Sequence, residues 1–238
     1  MGKVILLLCL VGLVFAQPDS LVLQPDAADG CDTWLISGGG YNDKNQGTHE
    51  YLVFNHSFTY APCLTLIRFD LSSIPSGATI DSAFIYYTIL FYSDATILYT
   101  AAILRSWGEG NGRHALATSG ESSWDCCRYD TTWGAGGCNL IGTDRTAYLD
   151  SQVVATSLSP LKTDVTYSTR YIMSSGNNYG YWQYAPSSID AIFVASSDYG
   201  TAGPRPELKV YYRAEAPATG AKWREVVIDG KLQTWRTQ

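Results

Sequence analysis

Residues 64–69 read Leu-Thr-Leu-Ile-Arg-Phe, a short run in which apolar side chains dominate. The segment Ser-Ser-Ile-Pro-Ser-Gly follows at residues 72–77, and Pro and Gly in such a cluster mark a turn. A second apolar run covers residues 83–90. Two runs of strand length on either side of a turn predict consecutive β-strands.

The same alternation of short apolar runs and turn residues extends over most of the chain. Tyr occurs 17 times and Trp 7 times, whereas charged residues make up only 16% of the 238 residues, and this composition favours strands. One short helix is predicted at residues 146–156, with Asp144 placed to cap it. We therefore predict an all-β protein, an antiparallel, jelly-roll-like β-sandwich. Further strands are predicted at residues 33–36, 51–54, 95–104, 167–173, 191–195 and 207–212.

Residues 1–16 have the features of a signal peptide. Lys3 supplies a positive charge, residues 4–15 are apolar, and residues 14–16 end in alanine, the small residue that a cleavage site requires. The apolar run is too short to cross a bilayer, which takes about 20 residues. We therefore predict a secreted, extracellular or cell-surface protein with no membrane span after cleavage. An uncleaved anchor or a β-strand is the alternative.

Beyond the signal peptide, the chain divides into two parts. Residues 17–213 carry the predicted strands of one β-sandwich domain. Residues 214–238 read as a linker followed by a segment that alternates around Asp229-Gly230, a strong signal for a hairpin turn. Because a two-stranded hairpin is barely stable alone in water, we expect it to dock on its own sandwich or on a neighbouring molecule.

The cysteines indicate an oxidising compartment. One of the 6 cysteines leaves with the signal peptide, and in an exported chain most of the others should pair. We predict a disulfide between Cys31 and Cys63, and a second one that joins Cys138 to one of the neighbours Cys126 and Cys127, with Cys127 as the chosen partner. The odd cysteine is then either a thiol or bonded to another chain. The spacing does not suit a zinc site.

The apolar run at residues 64–69 belongs to a longer segment that resembles a known family. Residues 64–82, LTLIRFDLSSIPSGATIDS, are similar to the core motif of DNRLRE-type domains. The resemblance covers roughly residues 22–213 and implies a secreted β-sandwich grouped with carbohydrate-binding modules. Such domains are commonly appended to polysaccharide-degrading enzymes or to surface and virion proteins. The cysteines and the hairpin tail depart from the family pattern. The other similar segments, in collinear order, are DTWLISGGGYNDKNQG (32–47), SWGEGNG (106–112), GESSW (120–124), TWGAGG (132–137) and IFVASSDYGTAGPRPELKVYY (192–212).

Tryptophans in the long irregular segment at residues 106–147 are candidates for glycan contact. Sugar rings present apolar C–H faces on which flat indoles stack, while polar groups at the rim bind the hydroxyls. The alternative is that these tryptophans are buried and brace the loop, as their high average burial suggests. The predicted ligand-binding residues are Trp107, Trp124, Tyr41, Glu109, Asn111 and Arg113.

Carboxylates near two strand ends predict a structural calcium ion. Asp26, Asp29 and Asp32 surround the start of the first predicted strand, and Asp190 precedes a late one. Hard oxygen ligands of this kind suit Ca²⁺. The predicted ligands are Asp29, Asp32 and Asp190, and the alternative is that these side chains are merely solvated.

Charge and motifs limit the classes of function. A formal net charge of −6 without a basic stripe argues against a nucleic-acid partner. The 3 histidines lie outside the sequence contexts of catalytic motifs, so we predict that the protein is not an enzyme. We predict instead that it recognises a surface or matrix polysaccharide. The alternative is a structural subunit of an extracellular assembly, such as a fibre, sheath or virion surface, in which copies bind each other through edge strands or disulfides.

Overall fold

The structure is a computed structural model that describes residues 18–54, 62–155, 159–186, 192–214, 223–228 and 231–236, the last two segments as backbone only. The predicted signal peptide lies outside these residues. Within them, no helix has both the length and the apolar character that crossing a membrane requires.

The described residues form short strands and one helix, α1, at Thr166–Ser175. The strands are β1 Asp19–Leu23, β2 Asp32–Ile36, β3 Lys44–Asn45, β4 Tyr51–Val53, β5 Cys63–Ile67, β6 Thr79–Tyr87, β7 Ile89–Tyr92, β8 Thr96–Ala102, β9 Ala115–Leu116, β10 Cys126–Arg128, β11 Thr131–Thr132, β12 Asp150–Val154, β13 Leu161–Asp164, β14 Tyr181–Tyr184, β15 Ile192–Ala195, β16 Glu207–Arg213, β17 Trp223–Ile228 and β18 Lys231–Arg236.

The strands form a sandwich of two antiparallel layers, which confirms the predicted fold class. One layer is a five-stranded sheet in the order β12-β8-β14-β5-β2. The other contains the four-stranded sheet β1-β16-β6-β13 and the three-stranded sheet β4-β15-β7. Only Thr88 separates β6 from β7, so these two sheets lie end to end. From β4 to β8, and again from β12 to β15, the chain crosses between the layers as in a jelly roll.

The main hydrophobic core fills the space between the two layers. Ile67, Leu98 and Tyr181 enter it from the five-stranded sheet, and Ile85 and Leu208 enter it from the four-stranded sheet. Successive side chains of a strand point to opposite faces, so each of these strands contributes every second residue. The outer face of the five-stranded sheet carries a second buried cluster, which the long segment between β8 and β12 covers.

Helix α1 occupies a segment that the sequence predicts as a strand, residues 167–173, and this prediction is wrong. The buried face of the helix is mostly polar, so the apolar spacing that usually reveals a helix is missing. The helix ends at Gly176, whose φ of 70° is the left-handed conformation that favours glycine. Its buried residues are Thr166, Ser168, Thr169 and Ile172.

The predicted helix at residues 146–156 is also wrong, because β12 lies there instead. Asp144, the predicted cap, instead binds the loop between β8 and β12, and it is Asp150 in β12 that caps a helix, α1. Its carboxylate accepts the backbone N–H groups of Tyr167 and Ser168, each at 2.8 Å. These are among the orphan donors at the start of α1, so a distant strand supplies the cap.

The strand register rules out the predicted Cys31–Cys63 disulfide. In the β2–β5 pair, Ile36 lies opposite Cys63. Cys31 precedes β2 at the other end of the pair, where its carbonyl accepts the N–H of Arg68 at 2.8 Å. The two cysteines therefore lie about 16 Å apart along the ladder, whereas a disulfide requires Cα atoms within about 7 Å.

The predicted Cys127–Cys138 disulfide is not formed in the structure, in which both residues are thiols. They belong to the same buried cluster on the outer face of the five-stranded sheet. Each sulfur instead faces a backbone carbonyl oxygen, that of Thr131 at 3.2 Å for Cys127 and that of Asp144 at 3.5 Å for Cys138. Cys126 is a half-buried thiol.

Buried polar anchors hold the long segment between β8 and β12. The indole N–H of Trp107 donates to the carbonyl of Tyr179 at 2.7 Å, and that of Trp133 donates to the carbonyl of Ser123 at 2.9 Å. The buried carboxylate of Asp144 accepts three backbone N–H groups of the same segment. These belong to Gly134, Ala135 and Leu140, at 2.8, 2.9 and 3.0 Å.

The ends of the sandwich domain lie side by side. β1 pairs with β16 in antiparallel register, with Asp19 opposite Tyr212. Beyond β16, strands β17 and β18 pair with each other as a separate two-stranded sheet, which confirms the predicted hairpin extension. The turn residues Asp229-Gly230 lie outside the described residues.

Candidate functional site

A cleft with mainly aromatic walls opens between the two layers beside β2. We call it the aromatic cleft. Its volume is about 180 Å³, and its floor belongs to a small hydrophobic cluster that is separate from the main core. The lining residues are Trp34, Ile36, Tyr41, Tyr51, Val53, Cys63, His114 and Phe193.

The strand register explains why aromatic side chains meet at the cleft. Trp34 lies opposite Thr65, whose hydroxyl donates to the carbonyl of Val53 in β4, so this face of β2 points toward the other layer. From that layer, Tyr51 of β4 and Phe193 of β15 place their ring centroids 5.2 Å apart in an edge-on arrangement. The cleft is therefore built from strands that are far apart in sequence and adjacent in the sandwich.

Two loops complete the rim of the cleft. Tyr41 and His114 approach each other with ring centroids 5.4 Å apart. His114 has a φ of 55°, a left-handed conformation that is uncommon for a residue with a side chain. Its ring lies 4.5 Å from the buried ring of His49.

Several buried nitrogen atoms behind the cleft have no hydrogen-bond partner among the described residues. They are Nε1 of Trp34, both ring nitrogens of His49 and Nε2 of Gln46. The His49 ring centroid lies 5.5 Å from that of Trp34, so the Trp34 and His49 nitrogen atoms are close together. Leaving a buried polar group unpaired costs about 1–3 kcal/mol. A hydroxyl group or a water molecule that reached one of these nitrogens would therefore gain a hydrogen bond, and Trp34 is the residue among them that lines the cleft.

The rim of the cleft carries positive charge from Lys44 and Arg113 but not from its histidines. Burial and repulsion from His114 and Arg113 lower the pKa of His49 to about 4. Burial, Lys44 and Arg113 also lower the pKa of His114, so both imidazoles are neutral at neutral pH. Arg113 is exposed, and the Lys44 ammonium lies 5.2 Å from the centroid of the Tyr41 ring. The cleft thus joins apolar walls to a cationic rim.

The two tryptophans predicted to bind ligand lie elsewhere. Trp107 is only 2% exposed and packs in the cluster outside the five-stranded sheet, so its ring braces the loop. Trp124 is half-buried and lines a smaller depression of about 120 Å³ on that face. In this depression Tyr148 stacks on Trp182 with centroids 5.8 Å apart, and the Arg145 guanidinium lies 4.2 Å from the Trp182 ring centroid.

The other predicted ligand-binding residues fall at different places. Tyr41 and Arg113 lie at the aromatic cleft, as described above. Asn111 is exposed, and its backbone N–H donates to the Glu121 carboxylate at 2.7 Å. Glu109 lies apart from the cleft walls and accepts the backbone N–H of Asp32 at 2.8 Å.

Glu109 belongs to a group of three carboxylates, which we call the carboxylate cluster. Asp32, Glu109 and Asp198 place carboxylate oxygens within 4.8 Å of one another. Burial raises the pKa of Asp32 to about 7 and that of Glu109 to about 8, and it also raises the pKa of Asp198. These oxygen donors are a suitable set for a hard divalent cation.

The carboxylate cluster differs from the predicted calcium site. Asp32 is common to both. Asp29 is exposed, and its side chain accepts the backbone N–H of Asp26 at 2.7 Å in a local turn, so it does not belong to the cluster. Asp190 lies outside the described residues. Asp198 was missed because it follows β15 in a turn of Ser, Asp and Gly, a composition that is typical of loops in general.

A wider hollow of about 470 Å³ lies between α1 and the turn that precedes β6. Arg170 is the charged side chain that lines this hollow. Its guanidinium already donates hydrogen bonds to the backbone carbonyls of Ile80 and Asp81, each at 2.8 Å. The hollow has no aromatic wall, so it is a weaker candidate for a ligand site than the aromatic cleft.

Comparison of the sequence with protein-family models and with curated proteins finds no match.

Proposed function

We propose that the protein is an exported, non-catalytic β-sandwich that binds a surface or matrix polysaccharide in the aromatic cleft. The observation that carries this proposal is the cleft itself, in which aromatic walls adjoin unpartnered buried nitrogen atoms and a cationic rim. Aromatic faces suit the C–H faces of a sugar ring, and polar groups at the edge suit its hydroxyls. The resemblance of residues 22–213 to DNRLRE-type domains supports the same class of ligand.

The size of the cleft favours a small part of a long polymer. Pockets that enclose a whole small molecule usually measure about 300–1,000 Å³, whereas the cleft measures about 180 Å³. The cleft can therefore hold one or two sugar units, while the rest of the polysaccharide lies across the protein surface. Binding at a single cleft of this kind is expected to be weak and to gain strength from multivalency.

The charge of the rim favours an acidic sugar. Lys44 lies over the Tyr41 ring, and Arg113 is close enough to lower the pKa values of His49 and His114. A carboxylate or sulfate group on the glycan would meet these cations, whereas a neutral glycan would not. Because both cations are near the surface, the preference for acidic glycans should weaken as the salt concentration rises.

Calorimetric titration with neutral and acidic polysaccharides tests the proposal. Tyr41→Ala removes a cleft wall and should weaken binding about tenfold, since an aromatic contact contributes roughly 1 kcal/mol or more. Tyr167→Ala is the matched control, because Tyr167 is 62% exposed on α1, away from the cleft. Equal affinity of Tyr41→Ala and wild type, or absence of binding to every glycan on an array, would contradict the proposal.

The separate hairpin favours a second candidate function, a structural subunit of an extracellular assembly. β17 and β18 form a sheet of only two strands, and such a pair needs a further surface for stability. A neighbouring copy can supply that surface through an exposed sheet edge. Light scattering and non-reducing gels of the protein with and without residues 214–238 test this candidate. A strict monomer in both forms would exclude it.

A further inference from the structure

Three segments that are distant in sequence meet at the carboxylate cluster. Asp32 begins β2, Glu109 belongs to the long segment between β8 and β12, and Asp198 follows β15. Their carboxylate oxygens lie within 4.8 Å of one another. Three like charges at such distances repel each other strongly when burial keeps water away.

The most buried member of the cluster has an oxygen without a partner. Asp32 is 1% exposed, and its Oδ2 accepts the backbone N–H of Ser197 at 2.8 Å. Its Oδ1 makes no hydrogen bond with any residue that the structure describes. The side-chain hydroxyl of Ser197 lies beside the same carboxylate, is also buried, and forms no hydrogen bond of acceptable geometry. Buried carboxylate oxygens are normally bonded, so an unpartnered one points to a missing ligand.

No cationic side chain neutralises the cluster within the part of the chain that the structure describes. Two arginines influence the cluster without coming within salt-bridge distance of it. Arg68 acts on Glu109 and Arg205 acts on Asp198, and both lower the pKa of the carboxyl that they face. Neither forms a salt bridge with the cluster, since the ion pair of Arg205 is with Asp26 at 3.9 Å.

We propose that Asp32, Glu109 and Asp198 bind a divalent cation, Ca²⁺, which joins the long loop to the sandwich. Ca²⁺ takes six to eight oxygen ligands and tolerates irregular geometry. The three carboxylates and the Ser197 hydroxyl supply only oxygen donors, and water can complete the shell. Among the described residues, no imidazole or thiol belongs to the cluster, whereas zinc sites generally use such ligands.

The ion would act on the loop that also reaches the aromatic cleft. Glu109 precedes His114, which lines the cleft, by five residues in the same loop. Binding to the folded state alone stabilises a protein in proportion to the logarithm of ligand concentration. Calcium at about one hundred times its dissociation constant should therefore raise the melting temperature of this chain by about 5–10 °C.

Calorimetry and thermal melting of the full-length, chelator-treated protein test the inference. We expect CaCl₂ to bind and to raise the melting temperature of the wild type and of the control Asp29→Asn, which changes an exposed carboxylate outside the cluster. Glu109→Gln and Asp198→Asn should bind calcium at least tenfold more weakly. Without calcium, Glu109→Gln should melt no lower than the wild type, because an amide oxygen can still accept the Asp32 N–H and the amide cannot acquire a buried negative charge.

Three results would overturn the inference. They are no binding of calcium by the wild type up to about 10 mM, unchanged calcium affinity in both cluster variants, and an equal or larger effect of MgCl₂. If Glu109→Gln does not fold, Asp198→Asn decides alone, since Asp198 is half-buried at the edge of the cluster. No glycan enters these measurements, so their outcome is separate from that of the proposed function.

Discussion

Replacing Asp144 with alanine should remove the main hydrogen bonds that hold the long loop between β8 and β12 in place. The Asp144 carboxylate is fully buried and accepts three backbone N–H groups, those of Gly134, Ala135 and Leu140. It also lies 3.3 Å from the guanidinium of Arg105. Alanine keeps none of these contacts and leaves the three donors without an acceptor.

The expected cost follows from the number of bonds. A hydrogen bond to a charged group contributes about 1.5–3 kcal/mol, so three such bonds contribute at least about 4–5 kcal/mol. Water can reach the exposed Gly134 and Leu140 once the carboxylate is gone, which reduces the loss. We therefore expect the free energy of unfolding to fall by about 3–5 kcal/mol, a large share of the 5–15 kcal/mol that is typical of a domain.

Urea unfolding and amide hydrogen exchange measure this effect. The amides of Gly134, Ala135 and Leu140 should lose protection in Asp144→Ala, while those of the main core strands should not. Asp130→Ala is the matched control, because Asp130 is exposed in the same loop and its removal should change stability by less than about 0.5 kcal/mol. A loss below about 1 kcal/mol in Asp144→Ala would refute the view that this carboxylate anchors the loop.

Three further predictions concern the helix cap, the buried histidine and the thiols. Asp150→Ala should lower the free energy of unfolding by about 2 kcal/mol in urea titrations, since it uncaps α1, and an unchanged midpoint would speak against the cap. Burial lowers the pKa of His49 to about 4, so the unfolded state binds more protons between pH 4 and 6.5. Stability is lost as pH falls through that window, by up to about 3 kcal/mol, and His49→Gln should lack this component when urea midpoints at pH 7 and pH 4.5 are compared. A thiol reagent followed by mass spectrometry should modify half-buried Cys126 before the buried Cys127 and Cys138, and equal rates for all three would contradict their placement.

Most strands could be predicted because apolar runs and turn residues are local features of the sequence. The run at residues 64–69 and the turn after it correspond to β5 and the approach to β6, and the Asp-Gly signal correctly predicted the hairpin. The helix was missed because residues such as Thr166 and Thr169 bury hydroxyls rather than hydrocarbon. Thr169 donates its hydroxyl proton to the carbonyl of Val165 at 2.8 Å, which satisfies it inside the helix.

The candidate site was harder to predict because it is formed by residues that are distant in sequence and meet only in the folded protein. Trp34, Tyr51 and Phe193 meet at the cleft only through the pairing of β2 with β5 and of β4 with β15. The sequence indicates Asp32 and Glu109 for different roles, since nothing local shows that a loop carboxylate reaches a strand 77 positions away. The Cys31–Cys63 prediction failed for the same reason, because the number and spacing of cysteines do not reveal the strand register.

The pairing of β1 with β16 has a mechanical consequence. Asp19 and Tyr212 are opposite one another at one end of this ladder, so tension applied through the two flanking segments pulls neighbouring strands apart from the same end. The cross-strand bonds then carry the load one after another, as in opening a zipper, instead of sharing it in shear. A chain of these sandwiches would lengthen domain by domain at low force, and a single-molecule pulling trace would show this as small, regularly spaced rips.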